Sequence, residues 1–571
     1  MGPGAGSSGL PRGIWHVTRE FAGVAEAGGL KDAVAGLAAA QARAGIRVAA
    51  VMPHYGFLSG LKTQRLPLDL KLLLPSGNEA SPLAPETVEV YRLLRDGVEL
   101  FLLDSARTRA KRDVYTYTAA DELENPYRKK GTGHWDAHHL NLTLQRGTLE
   151  LARRARRLGW PAPPAILHCH DGHAAFLPAI LRLNPAYRRS LRRTRALLTL
   201  HNAGGGYHQE IYGLEFARQL TGLSLEVLEL GRPAEAAAGQ AADSVDPLLL
   251  GPRYAPVNTV SEQYAAEIAS GALDRLTGGL GKAYREAGIR LRGITNGIDP
   301  GPYDPRLPAQ TGLPCAFDPS RGDWEGKRLC RRRLVAELAG AALAGGTKPG
   351  YLRRASRGQP RQFAPGSPLA GLACYGELTD SPGSPLFTFV GRLAAQKGVD
   401  ILAGAVARML SRKADLRFLV LGQGERVLEE RLSQIAGGPA GAGRFCLLVG
   451  FNGLAARYCY AAGDFFLVPS LYEPCGLTDL YAQMLGSLPV VHHVGGLVKV
   501  RHGETGYSYE EHSVEALCRA IEEAAGDHRL RPERQEAMRR LAFQEVLQRF
   551  TWDRVLASGY LPLYREVEGL A

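Results

Sequence analysis

Val468-Pro469-Ser470-Leu471-Tyr472-Glu473-Pro474-Cys475-Gly476-Leu477-Thr478 is the stretch whose reading decides the fold. Just ahead of it, Phe465-Phe466-Leu467-Val468 forms a short apolar run suited to a strand buried on both faces. Pro469 ends that strand. Gly476 and Thr478 then open an apolar-periodic segment, Leu480, Tyr481, Met484 and Leu485, which predicts a helix. Strand, tight turn and helix in succession make the repeating unit of a parallel α/β sheet. Free N–H groups at such a helix start favour a phosphate, and Glu473 beside them is placed to grip sugar hydroxyls. Taken alone, Glu-Pro-x-Gly reads equally well as a helix cap with a surface Glu.

Working outward, the same alternation recurs along the chain. Strands are predicted at Ile14–Val17, Ile46–Met52, Leu100–Leu103, Ala165–His168, Ala196–Leu200 and Pro256–Val260 in the first half. In the second half they fall at Leu386–Val390, Leu416–Leu421, Cys446–Val449, Phe465–Val468 and Pro489–His492. Helical spacing lies between them, as in Ile401, Leu402, Ala405, Val406 and Met409. Open parallel sheets bind ligands at the carboxyl ends of their strands, and the polar motifs of this chain sit just after predicted strands. The segment from Ala339 to Pro385 is dense in Gly, Pro, Arg and Ser and reads as an insertion or long mobile loop.

Composition narrows the function classes. With 571 residues, 45% of them hydrophobic, the chain is long enough for two cores. Basic residues exceed acidic ones by 69 to 57. The Arg residues are dispersed over polar helix faces (Arg153, Arg154, Arg156, Arg157; Arg331, Arg332, Arg333) without interleaved aromatics, which argues against nucleic acid. The eight Cys form no Cys-x-x-Cys pair, so a reduced, cytoplasmic protein is expected. Met1 to Gly13 lacks an apolar core and does not read as a signal peptide, and no run suggests a membrane span. No Asp-x-Asp stands at a suitable strand end, so neither a metal nor another cofactor is expected. A dinucleotide-binding oxidoreductase is disfavoured, since no Gly-x-Gly-x-x-Gly follows the first strand.

Several motifs appear in a fixed order: Ala25-Glu26-Ala27-Gly28-Gly29-Leu30, His168-Cys169-His170-Asp171, Leu200-His201-Asn202, Asn258-Thr259-Val260-Ser261 and Thr295-Asn296-Gly297-Ile298-Asp299. Gly391-Arg392-Leu393 with Gln396-Lys397-Gly398, the Glu473 segment and Val494-Gly495-Gly496-Leu497 complete the series. Together they resemble the retaining glycosyltransferases of the GT-B class, and closely the bacterial glycogen and starch synthases, over nearly the whole chain. The resemblance implies two Rossmann-like, doubly wound parallel-sheet domains facing an interdomain cleft. The domains would span residues 1–300 and 301–548, with a C-terminal helix over 549–571 returning to the first domain.

The resemblance also implies the activity: transfer of glucose from ADP-glucose to the non-reducing end of an α-1,4-glucan, with retention and without a metal. Arg392 and Lys397 would be the cations for the diphosphate, and Glu473 would bind sugar hydroxyls. Cys475, Gly476, Leu477 and Thr478 would present main-chain groups to the donor, and Phe451 would stack on the base. His201 would sit at the transferring sugar, either donating to a sugar oxygen or offering its main-chain carbonyl. Gly28, Gly29 and Asn296 would lie on the donor side, Asp171 and Asn202 on the acceptor side. Tyr481 stands where many GT-B enzymes carry a second Glu. Two departures stand out. Glu26 occupies the place of the family's Lys, with Lys31 nearby, and Lys499 stands where most synthases have an Asp. Rival readings are a GT-B transferase using UDP-glucose or a small acceptor, and a non-catalytic glucan-binding relative. The oligomeric state is left open.

Overall fold

The computed structural model describes residues 10–78, 81–233, 243–339, 360–381, 383–412 and 415–569. They form two units, Met1–Gly297 with Trp552–Ala571, and Ile298–Thr551.

The first unit holds strands β1 (Ile14–Val17), β2 (Val48–Pro53), β3 (Gln64–Asn78), β4 (Ser81–Arg95), β5 (Val98–Asp104), β6 (Ile166–His170), β7 (Arg195–Leu200), β8 (Ile211–Tyr212), β9 (Ser244–Val245), β10 (Val257–Thr259) and β11 (Leu291–Gly293). Its main sheet runs in the order β11-β10-β7-β6-β1-β2-β5-β4-β3, while β8 and β9 pair separately. From β11 to β5 the strands are parallel; β4 and β3 add an antiparallel edge. The central strands are apolar at nearly every position and buried on both faces, as parallel strands covered by helices must be. The β3–β4 hairpin was not among the predicted strands. Its inward row, Leu66, Leu68, Leu70, Leu72 and Leu74, is buried, so it follows the alternation of a sheet with one wet face.

The second unit holds β12 (Arg361–Gln362), β13 (Ala373–Leu378), β14 (Leu386–Val390), β15 (Arg417–Gly422), β16 (Arg444–Val449), β17 (Phe465–Val468), β18 (Leu488–His492) and β19 (Tyr507–Tyr509), in the order β12-β13-β16-β15-β14-β17-β18-β19. Alternate residues serve two cores. Phe387, Phe418, Phe465 and Leu467 pack on one face, and Leu386, Leu419, Phe466 and Val468 on the other. The segment expected as a loop over 339–385 differs in part. Residues 340–359 lie outside the described residues, but β13 extends the sheet antiparallel to β16, and β12 pairs antiparallel with β13.

The C-terminal tail belongs to the first unit. Trp552 packs so closely on the helix Leu30–Arg43 that a Cβ at Gly36 would lie 2.0 Å from its indole nitrogen. Tyr560, Tyr564 and Val567 join the core formed with Ile14, Val34 and Val48.

Candidate functional site

In the first unit the polar residues gather where β1, β6 and β7 end. Glu20 follows β1, and its Oε2 accepts hydrogen bonds from the N–H groups of Ala27 (2.9 Å) and Gly28 (2.6 Å). Tyr115 donates to the other oxygen at 2.7 Å. Glu20 thus shapes the glycine loop, although no motif singled it out. A Cβ at Gly29 would meet nothing within 4 Å, so the loop's second glycine borders open space. Glu26 turns back on its own loop, accepting from the Gly23 N–H, and lies 3.9 Å from Lys31, whose ammonium is held at 2.9 Å by Asp32.

Asp171 follows β6 with φ 55° and ψ −177°, a conformation costly for any residue other than glycine. Its Oδ1 accepts from the backbone N–H of His201 at 2.6 Å and more weakly from that of Asn202 at 3.4 Å. Burial pushes its carboxyl up to about 7, against the pull of those two donors. Asn202 in turn caps the Gly204 N–H at 2.9 Å. His208 then pins the loop, donating from Nε2 to the Ala203 carbonyl (3.0 Å) and from Nδ1 to Asp246 (2.5 Å). Burial opposes charge on this ring, yet Asp246 outweighs it and holds the imidazolium up to about 9. Asn296 is buried, and its Oδ1 has no hydrogen-bond partner among the described residues.

Behind His201 stand three buried histidines. His170 Nδ1 meets His201 Nε2 at 3.0 Å, and His170 Nε2 meets His16 Nδ1 at 2.9 Å. One ring nitrogen from each of His16, His168 and His170 lies within 4.8 Å of the other two, a donor set that zinc would accept. Each of their six ring nitrogens is already hydrogen-bonded, to another histidine, Gln41, Tyr564 or Thr199. A cation would have to displace those bonds.

The second unit presents ions. Lys397 Nζ lies 2.6 Å from Glu473 Oε2, which also accepts from Ser470 Oγ at 3.0 Å. The cation expected for phosphate and the carboxylate expected for sugar therefore meet directly, leaving Glu473 Oε1 without a partner among the described residues. Arg392, exposed after β14, makes no ion pair among the described residues, and its guanidinium donates to Gln396 Oε1 at 3.3 Å. Its loop is tied to the Glu473 segment by Gln396 Nε2 donating to the Tyr472 carbonyl (2.8 Å) and the Leu471 N–H donating to the Gln396 carbonyl (3.0 Å). Gly398 makes this approach possible, with φ +67° and only 1.9 Å between a hypothetical Cβ and the Pro469 carbonyl. Phe451 follows β16 and is 83% exposed, so it is no core residue.

The predicted helix is present at Thr478–Met484, with Leu477 at its N-cap. Its start is not a bare positive end, because Asp479 lies fully buried in its first turn. Lys499 answers that charge. It lies 3.0 Å from Asp479 and donates to the carbonyls of Cys475 (2.7 Å), Gly476 (2.7 Å) and Gly496 (2.8 Å). Burial still holds Asp479 up to about 6, with Lys499 acting in the opposite direction. Lys499 is thus a clip on the Glu473 segment rather than a cation facing outward. Tyr481 stacks on Tyr303 with ring centroids 3.8 Å apart and packs against the core.

Comparison with known proteins follows the same division. The family described as "Starch synthase catalytic domain" matches residues 13–286, and "Glycosyl transferases group 1" matches residues 384–527. A glycogen synthase of an Anaeromyxobacter species is 29% identical over 565 residues, covering 97% of this chain and 99% of the relative. That of Exiguobacterium sibiricum is 27% identical over 561 residues, covering 97% and 98%. The catalytic domain of starch synthase IV from Arabidopsis thaliana, solved bound to ADP and acarbose, has the same GT-B fold. Its TM-score is 0.75 at 21% identity, covering 98% of this chain and 100% of that one.

Proposed function

Because the chain belongs to the glycogen/starch synthase family of glycosyltransferases, we propose that it moves glucose from ADP-glucose to the 4-hydroxyl at the non-reducing end of an α-1,4-glucan, with retention. The observation that carries this reading is the Lys397–Glu473 pair beside Arg392, a cation without an ion-pair partner among the described residues. Arg392 and Lys397 stabilise the charge that grows on the departing diphosphate, and Glu473 Oε1 accepts from sugar hydroxyls. Phe451 stacks on the base. Main-chain groups of Cys475, Gly476, Leu477 and Thr478 line the donor, together with Gly28, Gly29 and Asn296. His201 faces the transferring sugar, with Asp171 and Asn202 toward the acceptor.

The ADP in the starch synthase IV structure supports an adenine donor. Initial rates with ADP-glucose and UDP-glucose, each with glycogen as acceptor, test it; a faster UDP-glucose rate overturns that assignment. With cations supplied by side chains, turnover in excess chelator equals that of untreated enzyme. A collapse reversed by magnesium would sink this part. None of the eight cysteines is in a disulfide and all but Cys315 are buried, which supports a reducing, cytoplasmic setting.

A further inference from the structure

The histidine cluster behind His201 has a direction, and the direction constrains what His201 can do. Gln41 lies on the buried face of the helix Leu30–Arg43. It presents its carbonyl Oε1 to His16 Nε2 at 2.8 Å and its amide Nε2 to the Tyr564 hydroxyl at 2.6 Å. An amide oxygen only accepts, so His16 carries its proton on Nε2. Burial pushes His16 down to about 4 and His168 and His170 well below the usual value, so these rings are neutral and hold one proton each. His16 Nδ1 therefore accepts, and His170 donates to it from Nε2. His170 Nδ1 then accepts, and His201 donates to it from Nε2. The second branch runs in the same sense. Tyr564 donates to His168 Nδ1 (3.0 Å), His168 Nε2 donates to Thr199 Oγ1 (2.6 Å), and Thr199 donates to Asn258 Oδ1 (2.7 Å). Reversing any one bond alone sets two protons or two lone pairs face to face in a buried site. The chain turns over as a whole or not at all.

We propose that Gln41, acting through His16 and His170, holds His201 in its Nε2-protonated tautomer, so that His201 meets the transferring sugar as a hydrogen-bond acceptor. This rests on the reading that His201 faces that sugar. The one ring nitrogen of His201 without a partner among the described residues is Nδ1, and it offers a lone pair. It selects a hydroxyl that can donate, and side-chain donation to a sugar oxygen is excluded. Gln41 is a positioning residue, and the C-terminal tail takes part through Tyr564, whose hydroxyl accepts from the Gln41 amide.

Two measurements on the full-length enzyme test the proposal, with folded His201→Ala as the reference variant. First, ¹⁵N spectra of ring-labelled histidine, assigned with His201→Ala, show His201 protonated at Nε2 and unprotonated at Nδ1. The opposite tautomer, or nitrogens bound to stoichiometric zinc, overturns the chain. Second, kcat/KM is compared for glucosyl donors in which each hydroxyl is replaced by hydrogen or by fluorine, which accepts but does not donate. At one position both replacements lose about tenfold, and His201→Ala shrinks both losses to within twofold. Retained activity with the fluorine analogue makes His201 a donor and overturns the proposal. The expected tautomer with no position sensitive to His201→Ala overturns the sugar-facing reading instead. Gln41→Leu is expected to give a mixture of His201 tautomers and a lower kcat at little change in donor KM; an unmixed native tautomer in that variant removes Gln41 from the role.

Discussion

At the carboxyl ends of β1, β6 and β7, side chains meet mostly as neutral rings, an amide and hydroxyls; at those of β14, β17 and β18 they meet as ions. The chemistry proposed for each unit explains the contrast. A departing diphosphate needs cations, and Arg392 and Lys397 stand at positions water still reaches. A sugar ring needs hydrogen bonds of fixed sense, and buried neutral histidines supply these without the desolvation cost of charge. Each side also holds exceptions. His208–Asp246 is a buried ion pair in the neutral unit, and Lys499–Asp479 is a buried pair in the charged unit that clips backbone rather than facing substrate.

The largest effect is expected at that second clip. Lys499→Met strands the Asp479 carboxyl in the core and leaves three carbonyls without their donor. The second unit should lose about 3–5 kcal/mol of stability, read as a lower calorimetric transition. Lys499→Met combined with Asp479→Leu should recover the part of the loss due to the stranded carboxyl, while the three carbonyls stay without their donor. A single variant as stable as the native protein would show that the pair holds nothing in place.

Arg392→Ala sharpens the other half of the contrast, between ions that hold the fold and ions that face substrate. The side chain is exposed and lacks a carboxylate partner among the described residues, so stability should not change. Turnover should fall about 100-fold or more, about 3 kcal/mol of transition-state stabilisation. A folded variant with most of its activity intact would remove Arg392 from the phosphate site.

The His208–Asp246 pair gives the first unit a pH signature. His208 has its folded pKa raised from 6.5 to about 9, so its contribution is complete below 6.5 and disappears as pH rises through 9. About 2–3 kcal/mol should be lost over that window. His208→Asn should flatten the first unit's stability between pH 6.5 and 9; an unchanged slope would assign the effect elsewhere.

Much of this organisation was legible in the sequence because parallel core strands announce themselves as unbroken apolar runs. Ile14–Val17, Leu386–Val390 and Phe465–Val468 fall where they were read. The β3–β4 hairpin escaped because its signal alternates and Pro67 and Pro75 interrupt it. The short strands β12 and β13 escaped because Gly and Pro flank them. At the site, motif residues lie one step beyond a strand, so order along the chain exposed Arg392, Glu473 and His201. Gln41 and Tyr564 could not be found that way. They meet across 523 positions, and only the fold brings them together. Gln41 did leave one trace, as an amide on the otherwise apolar face of its helix. Lys499 stood out in the sequence only as a departure, because its partner Asp479 lies 20 positions away and meets it through the fold.

Glu26 is the smallest of these effects and the closest test of whether a charge near a strand end acts on substrate or on the loop. Glu20, not Glu26, accepts from the Ala27 and Gly28 N–H groups that shape the glycine loop. Glu26 is spent on the Gly23 N–H and on a distant approach to Lys31, and its side chain is 43% exposed. An exposed pair of this kind contributes about 0–1 kcal/mol, and salt screens what remains. Glu26→Lys should therefore leave the donor KM within about twofold and the melting temperature nearly unmoved. If position 26 instead points at the diphosphate, a new cation there would tighten donor binding by about 1–2 kcal/mol. A several-fold lower donor KM, weakening as salt is added, would place Glu26 in the donor site and mark this glycine loop as tuned against its own substrate.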